Sequence, residues 1–244
     1  MGYAVDVVFT AKDAVQPSQR GDVIIIIDVL RCCSTVITAL ANGAICIVPA
    51  KTVTEARGLK KTNPELVLAG ERKGLKPKGF ELGNSPLQFT EDAIGGKQLV
   101  LTTTSGTRAI TICRNAQWVL IGAILNAASV AKVALRISEK EKGGISLVLS
   151  GTDGRFSLED FVSAGLILDN FQSKNVEYSD SALASLLALK QCRGHLCDVI
   201  KSTHHAKYLA GIGLEKDVEF CCQIDEYPIV PFFHNGVLVP LQIR

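Results

Sequence analysis

An acidic residue, a basic residue and two hydroxyl residues follow one of the most hydrophobic runs of the chain. The run Val23–Ile27 leads directly into Asp28. An acid in this position suits either a magnesium ligand or a nucleophile, because Mg²⁺ prefers hard oxygen ligands. Alternatively, Asp28 only caps the following helix and Arg31 is its surface partner. The candidate site residues from this turn are Asp28, Arg31, Ser34 and Thr35.

A hydroxyl-rich turn follows another hydrophobic run, at positions 102–107. A turn of this kind before a helix exposes free backbone N–H groups and the positive end of the helix dipole, which together bind phosphate. The sequence contains no G-x4-G-K-[ST] pattern, so this is not a nucleotide-binding P-loop. An ordinary threonine-rich helix cap is the alternative. The residues that we assign to substrate binding here are Thr103, Thr104, Ser105, Gly106 and Thr107.

The segment 70–86 is irregular and holds four glycines, two prolines and six charged residues. A long irregular connection in a compact protein is often functional. The guanidinium of Arg72 could bind two oxygens of a phosphate or sulfonate at once, and the adjacent Glu71 is a candidate metal ligand. The lysines of the segment either raise the positive potential or are simply solvated. The candidates are Glu71, Arg72, Asn84 and Ser85, and the lysines are Lys73, Lys76 and Lys78.

A fourth group of candidates lies at the start of the helix predicted from residue 158. Ser157 is predicted to cap this helix, with Asp160 at the third helical position completing an imperfect capping box. Two adjacent acids at the start of a helix can equally face a cation. The candidates are Arg155, for substrate binding, and Glu159 and Asp160, for metal binding.

Together, the four segments predict metal-assisted chemistry on a small substrate that carries several negative charges. The acids could hold Mg²⁺, the arginines could bind anionic oxygens, and the hydroxyl-rich turn could bind phosphate. We assign metal binding to Asp28, Glu71, Glu159 and Asp160, and catalysis to Asp28, Arg31, Glu71 and Arg72.

These segments are far apart in sequence, and an α/β fold is predicted to bring them together. Short runs rich in β-branched residues alternate with longer helical patterns, which is typical of a largely parallel or mixed sheet between two layers of helices. In such sheets, ligands bind beyond the carboxyl ends of the strands, where the candidates lie. The predicted strands span 22–28, 44–48, 66–69, 98–103, 118–122 and 145–150, and the predicted helices span 34–42, 53–61, 107–115, 127–140, 158–172, 179–191 and 199–209.

The C-terminal part of the chain has a different character. The extended runs 229–233 and 237–241 flank the pair Asn235-Gly236, which is a strong signal for a β-hairpin. We therefore expect the chain to end in an antiparallel hairpin. Because no linker rich in Pro, Gly or Ser is present, residues 1–244 are expected to form one domain, with a change of subdomain near residue 173.

The composition excludes several classes of protein. The 244 residues are 47% hydrophobic and carry a formal net charge of +2, which excludes a disordered chain and does not favour binding to nucleic acid. The apolar runs are far shorter than the roughly 20 residues of a membrane-spanning helix. The N-terminus lacks a secretory signal, so a cytoplasmic location is expected. The eight cysteines are expected to be reduced, their spacings argue against structural zinc, and the oligomeric state stays open, a homo-oligomer included.

The motifs in these segments resemble those of the magnesium-dependent 2-phosphosulfolactate phosphatases of coenzyme M biosynthesis. They occur in the order typical of that family and cover residues from about 20 to 235. The most diagnostic are GNSP at 83–86 and TTTSGT at 102–107. The other matching segments are DVLR at 28–31 with the following Ser34 and Thr35, AGER at 69–72, GFEL at 79–82 and GRFSLED at 154–160.

The resemblance implies hydrolysis of 2-phosphosulfolactate to 3-sulfolactate and inorganic phosphate, with Mg²⁺ as the cofactor. Two positions depart from the family pattern: Ser105 stands where an asparagine is expected, and Cys32 and Cys33 stand where small or hydroxyl residues are usual. Ser105 keeps a hydroxyl group but has a shorter reach and no amide donor. The physiological substrate could therefore be another small phosphate ester.

Two covalent mechanisms used by other phosphatases do not fit the sequence. The haloacid dehalogenase type needs a second acid two residues after the nucleophile, where this chain has Leu30 after Asp28. The cysteine-dependent type needs an arginine six residues after the cysteine, which neither Cys32 nor Cys33 has. We therefore expect attack by a metal-activated water molecule, with attack by Asp28 itself as the alternative. The competing hypotheses for function are a module that binds an anionic metabolite without turnover and an α/β interaction scaffold that Mg²⁺ with sulfolactate would not stabilise.

Overall fold

A computed structural model describes residues 3–171 and 175–241 of the chain. In this part, ten strands form a single sheet that is covered by helices. The strands are β1 Tyr3–Val8, β2 Val23–Ile27, β3 Cys46–Pro49, β4 Val67–Gly70, β5 Gln98–Thr102, β6 Val119–Gly122, β7 Ile145–Leu149, β8 Val176–Tyr178, β9 Pro231–His234 and β10 Val237–Pro240. The α-helices are α1 Val15–Arg20, α2 Cys32–Ala41, α3 Val53–Thr62, α4 Glu91–Ile94, α5 Gly106–Ile112, α6 Ala127–Glu141, α7 Leu158–Asp169, α8 Asp180–Cys192, α9 Leu196–Ser202, α10 His204–Gly211 and α11 Glu215–Cys221.

The sheet consists of two parallel blocks that are joined by an antiparallel hairpin. Its strand order is β4-β5-β3-β10-β9-β6-β2-β7-β1-β8. Strands β4, β5 and β3 run parallel to one another, and so do β6, β2, β7, β1 and β8. The hairpin β9–β10 pairs antiparallel with β6 on one side and with β3 on the other. The predicted class, α/β with a largely parallel, mixed sheet, is therefore confirmed.

Strand β2 shows why helices cover both faces of the sheet. All five of its β-branched residues are fully buried. Because side chains alternate along a strand, Val23, Ile25 and Ile27 pack on one face with residues of α6 and α7. Ile24 and Ile26 pack on the other face with residues of α2 and α5. Each buried side chain of this size contributes roughly 1.5–3 kcal/mol, so β2 is a main anchor of the core.

The C-terminal hairpin lies in the middle of the sheet, between the two parallel blocks. It turns at Asn235 and Gly236, whose φ angles are 49° and 87°. A two-residue turn with positive φ angles matches the twist of the flanking strands, and Asn-Gly tolerates these angles best. The predicted hairpin is thus confirmed, and it links the blocks into one sheet.

The sequence predicts most of the other elements as well. Strands β2 to β7 and helices α2, α3 and α5 to α8 are confirmed within a few residues, whereas β1, β8 and several short helices were not predicted. The single helix predicted over 199–209 is wrong, because Thr203 interrupts it. The Thr203 side chain accepts a hydrogen bond from the amide of Ala206 and so caps a new helix, α10. Gln172, the predicted end of the helix that starts at residue 158, and residue 173, the predicted subdomain change, lie outside the described residues.

The fold contains no disulfide bond between its eight cysteines, all of which are described. All eight cysteines are free thiols. Five of these thiols belong to buried residues, namely Cys32, Cys33, Cys113, Cys192 and Cys221. Across residues 3–171 and 175–241, none of the helices has both the length and the apolar character needed to cross a bilayer.

The two parallel blocks bring the carboxyl ends of their strands to one place. Three antiparallel pairings separate the blocks, so their strands would point in opposite directions if the sheet were flat. The turns after β2 and β5 nevertheless meet in the structure. The turn after β5 packs on the turn after β2: a Cβ atom at Gly106 would lie 2.7 Å from Oδ2 of Asp28 and even closer to Cys32. Only glycine allows this approach.

Candidate active site

A cavity of about 430 Å³ lies where these strand ends meet. Its walls come from the turns after β2, β5 and β7, the loop after β4, the start of α7 and helix α10. A cavity of this size suits a small organic ligand. The predicted site residues that line it are Asp28, Arg31, Glu71, Asn84, Thr103, Thr104, Ser105, Glu159 and Asp160. The predicted site residues outside its lining are Ser34, Thr35, Arg72, Ser85, Gly106, Thr107 and Arg155.

Ser34 and Thr35 support the cavity from behind. The hydroxyl of Ser34 donates a hydrogen bond to the carbonyl of Val29 at 2.8 Å. The hydroxyl of Thr35 donates to the carbonyl of Asn84 at 3.1 Å. Both side chains are fully buried and hold the start of α2 against neighbouring backbone. Their position therefore favours a structural role over the predicted contact with substrate.

The hydroxyl-rich turn is closed by reciprocal hydrogen bonds. The Thr103 amide donates to Oγ1 of Thr107 at 3.1 Å, and the Thr107 amide donates to Oγ1 of Thr103 at 3.0 Å. The Thr104 amide also has a partner, the carboxylate of Glu71. Among the described residues, no acceptor takes the amides of Ser105 and Gly106, where α5 begins. These two amides are the part of the turn that stays available to an anion.

Glu71 holds the loop after β4 against this turn. Its Oε1 accepts a hydrogen bond from the Thr104 amide at 2.7 Å, and its Oε2 accepts one from the Gly74 amide at 2.8 Å. The loop leaves β4 at Gly70, which lies directly against the end of β5. A Cβ atom on Gly70 would overlap the carbonyl oxygen of Thr102, so only glycine allows this close approach. Both carboxylate oxygens of Glu71 are therefore already engaged with backbone amides.

Two of the predicted arginines lie away from the central cavity. The guanidinium of Arg72 donates to the carbonyl of Glu71 at 2.6 Å and to Oγ1 of Thr102 at 2.8 Å, so it ties the loop to the end of β5. Arg155 lines an adjoining cavity of about 710 Å³. The residues that line both cavities are Thr152, Asp153, Glu159, His204 and His205.

Asp28 is buried directly beyond β2. Its Oδ1 accepts a hydrogen bond from the Cys32 amide at 3.2 Å, and among the described residues its Oδ2 has no donor. Burial raises the pKa of Asp28 to about 7, and the nearby carboxylates of Glu71 and Glu159 add to this rise. The Cys32 amide and the charge of Arg31 oppose it. A neighbouring cation would therefore favour the ionised form of this acid.

Asp160 joins the turn after β2 to the turn after β7. Its Oδ1 accepts from the Val29 amide at 2.9 Å, and its Oδ2 accepts from the Gly151 amide at 3.2 Å. Its own amide donates to Oγ of Ser157 at 3.2 Å, which confirms the predicted helix cap. The predicted capping box is wrong, because the Asp160 carboxylate accepts from Val29 and Gly151 and not from the Ser157 amide. Burial, and then the charge of Asp28, raise the pKa of Asp160 well above its ordinary value.

Of the buried acids that line the cavity, Asp28 and Glu159 keep oxygens free for a metal ion. In the described part of the chain, no donor lies within hydrogen-bond distance of the buried Glu159 carboxylate. Proteins often bind Mg²⁺ through one or two carboxylates, with water and substrate phosphate as the other ligands. The pair fits this pattern. Within residues 3–171 and 175–241, no three acid, histidine or cysteine side chains are grouped for metal binding, so the four predicted ligands do not form one cluster.

Acidic side chains outnumber basic ones in the lining of the cavity. Its lining contains five carboxylic acids but only two strong bases, Arg31 and Lys73. An anionic ligand is repelled by such a lining unless a cation or protons compensate the acids. The acids are Asp28, Glu71, Asp153, Glu159 and Asp160.

Arg31 is held by a partner that sequence reasoning missed. Its Nη1 donates to Oδ2 of Asp217, in α11, at 2.5 Å, and its Nη2 donates to the carbonyl of Gly74 at 2.8 Å. The hydroxyl of Ser85 donates to the other oxygen of Asp217 at 2.6 Å. Ser85 therefore supports the site through Asp217. No local pattern around Asp217 distinguishes it from the other acids of α11.

Helix α10 adds aromatic side chains that were also not predicted. The rings of His205 and Tyr208 stack with their centroids 6.2 Å apart. Nε2 of His205 lies 3.0 Å from the carbonyl of Leu30, and the Tyr208 hydroxyl donates to the carbonyl of Lys73 at 3.0 Å. The pair His204-His205, directly after the capping Thr203, is the sequence signal that could have placed this helix at the site.

Asn84 is a buried residue of the cavity lining whose side-chain hydrogen bonding is incomplete. It is 4% exposed, lines the cavity, and its Oδ1 has no partner among the described residues. A buried amide oxygen without a donor is costly, so this atom is suited to accept a hydrogen bond from a ligand or from water. Binding of substrate by Asn84 stays a prediction.

Comparison with known proteins identifies the family. A family model described as 2-phosphosulpholactate phosphatase matches residues 9–236. A Thermotoga petrophila protein named "Probable 2-phosphosulfolactate phosphatase" is 42% identical over 215 residues, which cover 88% of this chain and 90% of that protein. A Clostridium acetobutylicum protein with the same name is 36% identical over 238 residues, which cover 96% of this chain and 99% of that protein. The chain therefore belongs to the 2-phosphosulpholactate phosphatase family, whose members are phosphoric monoester hydrolases.

Proposed function

We propose that this chain hydrolyses 2-phosphosulfolactate to 3-sulfolactate and inorganic phosphate in a magnesium-dependent reaction. The names of its relatives support the substrate. The single observation that carries the metal requirement is the pair of buried carboxylates, Asp28 and Glu159, with free oxygens in a cavity where acids outnumber bases. A substrate with several negative charges needs a cation in this cavity.

Asp28 and Glu159 would hold the magnesium ion. When bound, the ion would neutralise phosphate oxygens and stabilise the charge that develops in the transition state. Glu71 and Asp160 support this arrangement through backbone amides, because their oxygens already fix the turns after β5 and β7. This division of roles revises the four-acid ligand set that the sequence predicts.

Other residues of the cavity bind the anionic groups of the substrate. The free amide of Ser105, which lines the cavity next to the start of α5, suits the phosphate oxygens. Arg31 and Lys73 are the strong bases of the lining and suit the sulfonate and carboxylate. Lys73 is exposed, and in the described part of the chain no acceptor takes its ammonium group, so it is free to contact a ligand.

The reaction adds a water molecule to phosphorus and breaks the bond between phosphorus and the ester oxygen. The oxygen of the leaving group takes up a proton, so the products are the hydroxy acid and phosphate. A cysteine nucleophile is disfavoured, because burial raises the pKa of the Cys32 and Cys33 thiols well above their ordinary value. Attack by water, with Asp28 kept as a metal ligand, is therefore our proposal.

A panel of phosphate esters tests this proposal. The purified protein is incubated with 2-phosphosulfolactate, 2-phospholactate and 3-phosphoglycerate, each with Mg²⁺ or with EDTA, and released phosphate is measured. We expect release only with Mg²⁺, and fastest from the sulfonated ester. Saturable binding without release would favour a binding module instead. Equal release in EDTA would contradict the metal assignment, and faster release from another ester would change the substrate.

A further inference from the structure

We infer that Asp217 is a positioning residue that orients Arg31 toward the substrate and keeps it away from the carboxylates of the site. This inference rests on the proposed function, because Arg31 lines the same cavity. Asp217 itself does not line the cavity, so it would act through Arg31.

Short hydrogen bonds hold both oxygens of the buried Asp217 carboxylate. Its side chain is 3% exposed, and so is that of Arg31, which donates from Nη1 to its Oδ2 at 2.5 Å. Ser85 donates to its Oδ1 at 2.6 Å. Both oxygens of Asp217 therefore have a donor, and the carboxylate is fixed between the turn after β2 and the segment 70–86.

Arg31 has competing acids close by. Its charge lowers the pKa of Asp28, so the two groups interact electrostatically across the cavity wall. A buried guanidinium without Asp217 would reorganise toward Asp28, whose Oδ2 has no donor among the described residues. Asp217 therefore keeps Arg31 in place and keeps Asp28 free for the metal.

In the described part of the chain, no acceptor takes the other N–H groups of Arg31, so they are available to a ligand. A guanidinium has five N–H groups. One of those on Nη1 is used by Asp217 and one on Nη2 by the carbonyl of Gly74. The fork that remains is pre-organised, so binding an anionic group costs little side-chain entropy. Loss of Asp217 should therefore affect substrate capture most.

A double-mutant cycle separates positioning from a general effect on the fold. Asp217→Asn is compared with wild type, and Asp217→Asn/Arg31→Ala with Arg31→Ala, by phosphate release from 2-phosphosulfolactate with Mg²⁺. We expect Asp217→Asn to lower kcat/KM by about 10- to 100-fold, mainly through KM, as for other groups that orient a site residue. In the Arg31→Ala background it should change kcat/KM by less than about twofold. An equal loss in both backgrounds would overturn the inference.

Two further variants serve as controls. Glu219→Gln changes an exposed acid of the same helix, which pairs with Lys201, and should leave kcat and KM unchanged. Asp217→Glu keeps the carboxylate and should recover part of the lost affinity. If Asp217→Glu binds substrate no better than Asp217→Asn, a role of the charge is excluded and the inference is wrong.

A second variant and a second measurement cover the cases in which Asp217→Asn does not fold or 2-phosphosulfolactate is not the substrate. Ser85→Ala removes one partner of Asp217 and leaves all charges, so it should raise KM by about two- to fivefold in wild type and not in Arg31→Ala. If wild type releases no phosphate from 2-phosphosulfolactate, the proposed function fails. The same variants are then compared by the thermal shift that 3-sulfolactate with Mg²⁺ causes, because this compound carries the sulfonate and the carboxylate that Arg31 would bind. A shift that Asp217→Asn and Ser85→Ala leave unchanged would overturn the inference.

Discussion

The two sides of the cavity are built in opposite ways. On the acidic side, formed by Asp28, Glu159 and Asp160, burial raises the pKa of two acids, and oxygens of Asp28 and Glu159 stay free. On the loop side, formed by Glu71, Lys73 and the turn 103–105, the only acid is Glu71, and both of its oxygens accept backbone hydrogen bonds. On the acidic side, burial therefore disfavours the ionised carboxylates and lowers the stability of the folded protein. The free oxygens on this side are suited to bind a cation.

The largest effect on activity is expected from a substitution on the acidic side, at Asp28. Asp28→Asn removes the charge that would hold the metal, so phosphate release should fall on the order of 10³-fold, the equivalent of several kcal/mol of transition-state stabilisation. Circular dichroism should show an intact fold. Turnover within tenfold of wild type would contradict the assignment of Asp28 to the metal.

The metal requirement should separate Glu159 from Glu71. Glu159→Gln removes a free carboxylate and should raise the Mg²⁺ concentration for half-maximal activity by at least about tenfold. Glu71→Gln disturbs one of two amide hydrogen bonds, so it should lower kcat/KM without changing that concentration. The measurement is activity over a titration of Mg²⁺, and identical shifts in both variants would remove the distinction between the two sides.

The stability of the metal-free protein should depend on pH, because ionising the buried Asp28 lowers the free energy of unfolding. The pKa of Asp28 is about 7 in the folded protein, against an ordinary value of 3.8. Between these values the unfolded chain has lost the proton and the folded chain retains it, so stability falls as pH rises from about 4 to about 7. Asp28→Asn should remove the part of this fall in stability that is due to Asp28.

Thermal unfolding in EDTA tests this expectation. The Tm of Asp28→Asn should exceed that of wild type on the order of 5 °C at pH 7.5, because 1 kcal/mol corresponds to about 2–4 °C at this chain length. At pH 4 the difference should be much smaller. A wild-type Tm that rises relative to Asp28→Asn with increasing pH would show that Asp28 is stabilised as an anion.

A smaller effect is expected on the loop side. Lys73→Gln removes a base that lines the cavity, so KM for the sulfonated ester should rise about fivefold while kcat stays within twofold. Lys78→Gln is the matched control, because Lys78 is an exposed lysine of the same segment that does not line the cavity. Steady-state kinetics of both variants tests the assignment, and equal KM values would show that Lys73 is only a solvated charge.

The smallest effect is expected at the two buried cysteines. Cys32→Ser and Cys33→Ser should each keep kcat/KM within about threefold, because thiols with a raised pKa do not supply a thiolate. A loss of more than about a hundredfold, with an unchanged Tm, would indicate a covalent mechanism and contradict attack by water.

Local patterns explain how much of the fold could be predicted. The β-branched run of β2, the alternation of strands with helices, and the Asn235-Gly236 turn each depend on a few neighbouring residues. The edge strand β8 and its neighbour β1 were not predicted. Several residues of both strands are only partly buried, so their hydrophobic pattern is weak. The break at Thr203 was missed, because apolar residues continue with helical spacing on both sides of it.

The candidate site was predictable to the level of segments. Asp28, Glu71, Thr104 and Glu159 each follow the carboxyl end of a strand or begin the next helix, and the structure brings all four to one cavity. Individual side chains were less predictable. Arg72 was expected to clamp the substrate, but it ties the loop to Thr102, because its direction depends on the neighbouring strand.

The sequence by itself determined the α/β class, the hairpin and the segments that form the site, because hydrophobic periodicity and turn chemistry are properties of consecutive residues. Only the tertiary structure decided which of the charged residues face the cavity and which partners they have. Arg31 and Asp217 are 186 residues apart and meet in the buried interior. No local pattern encodes such a pair, since it forms only when distant elements pack together.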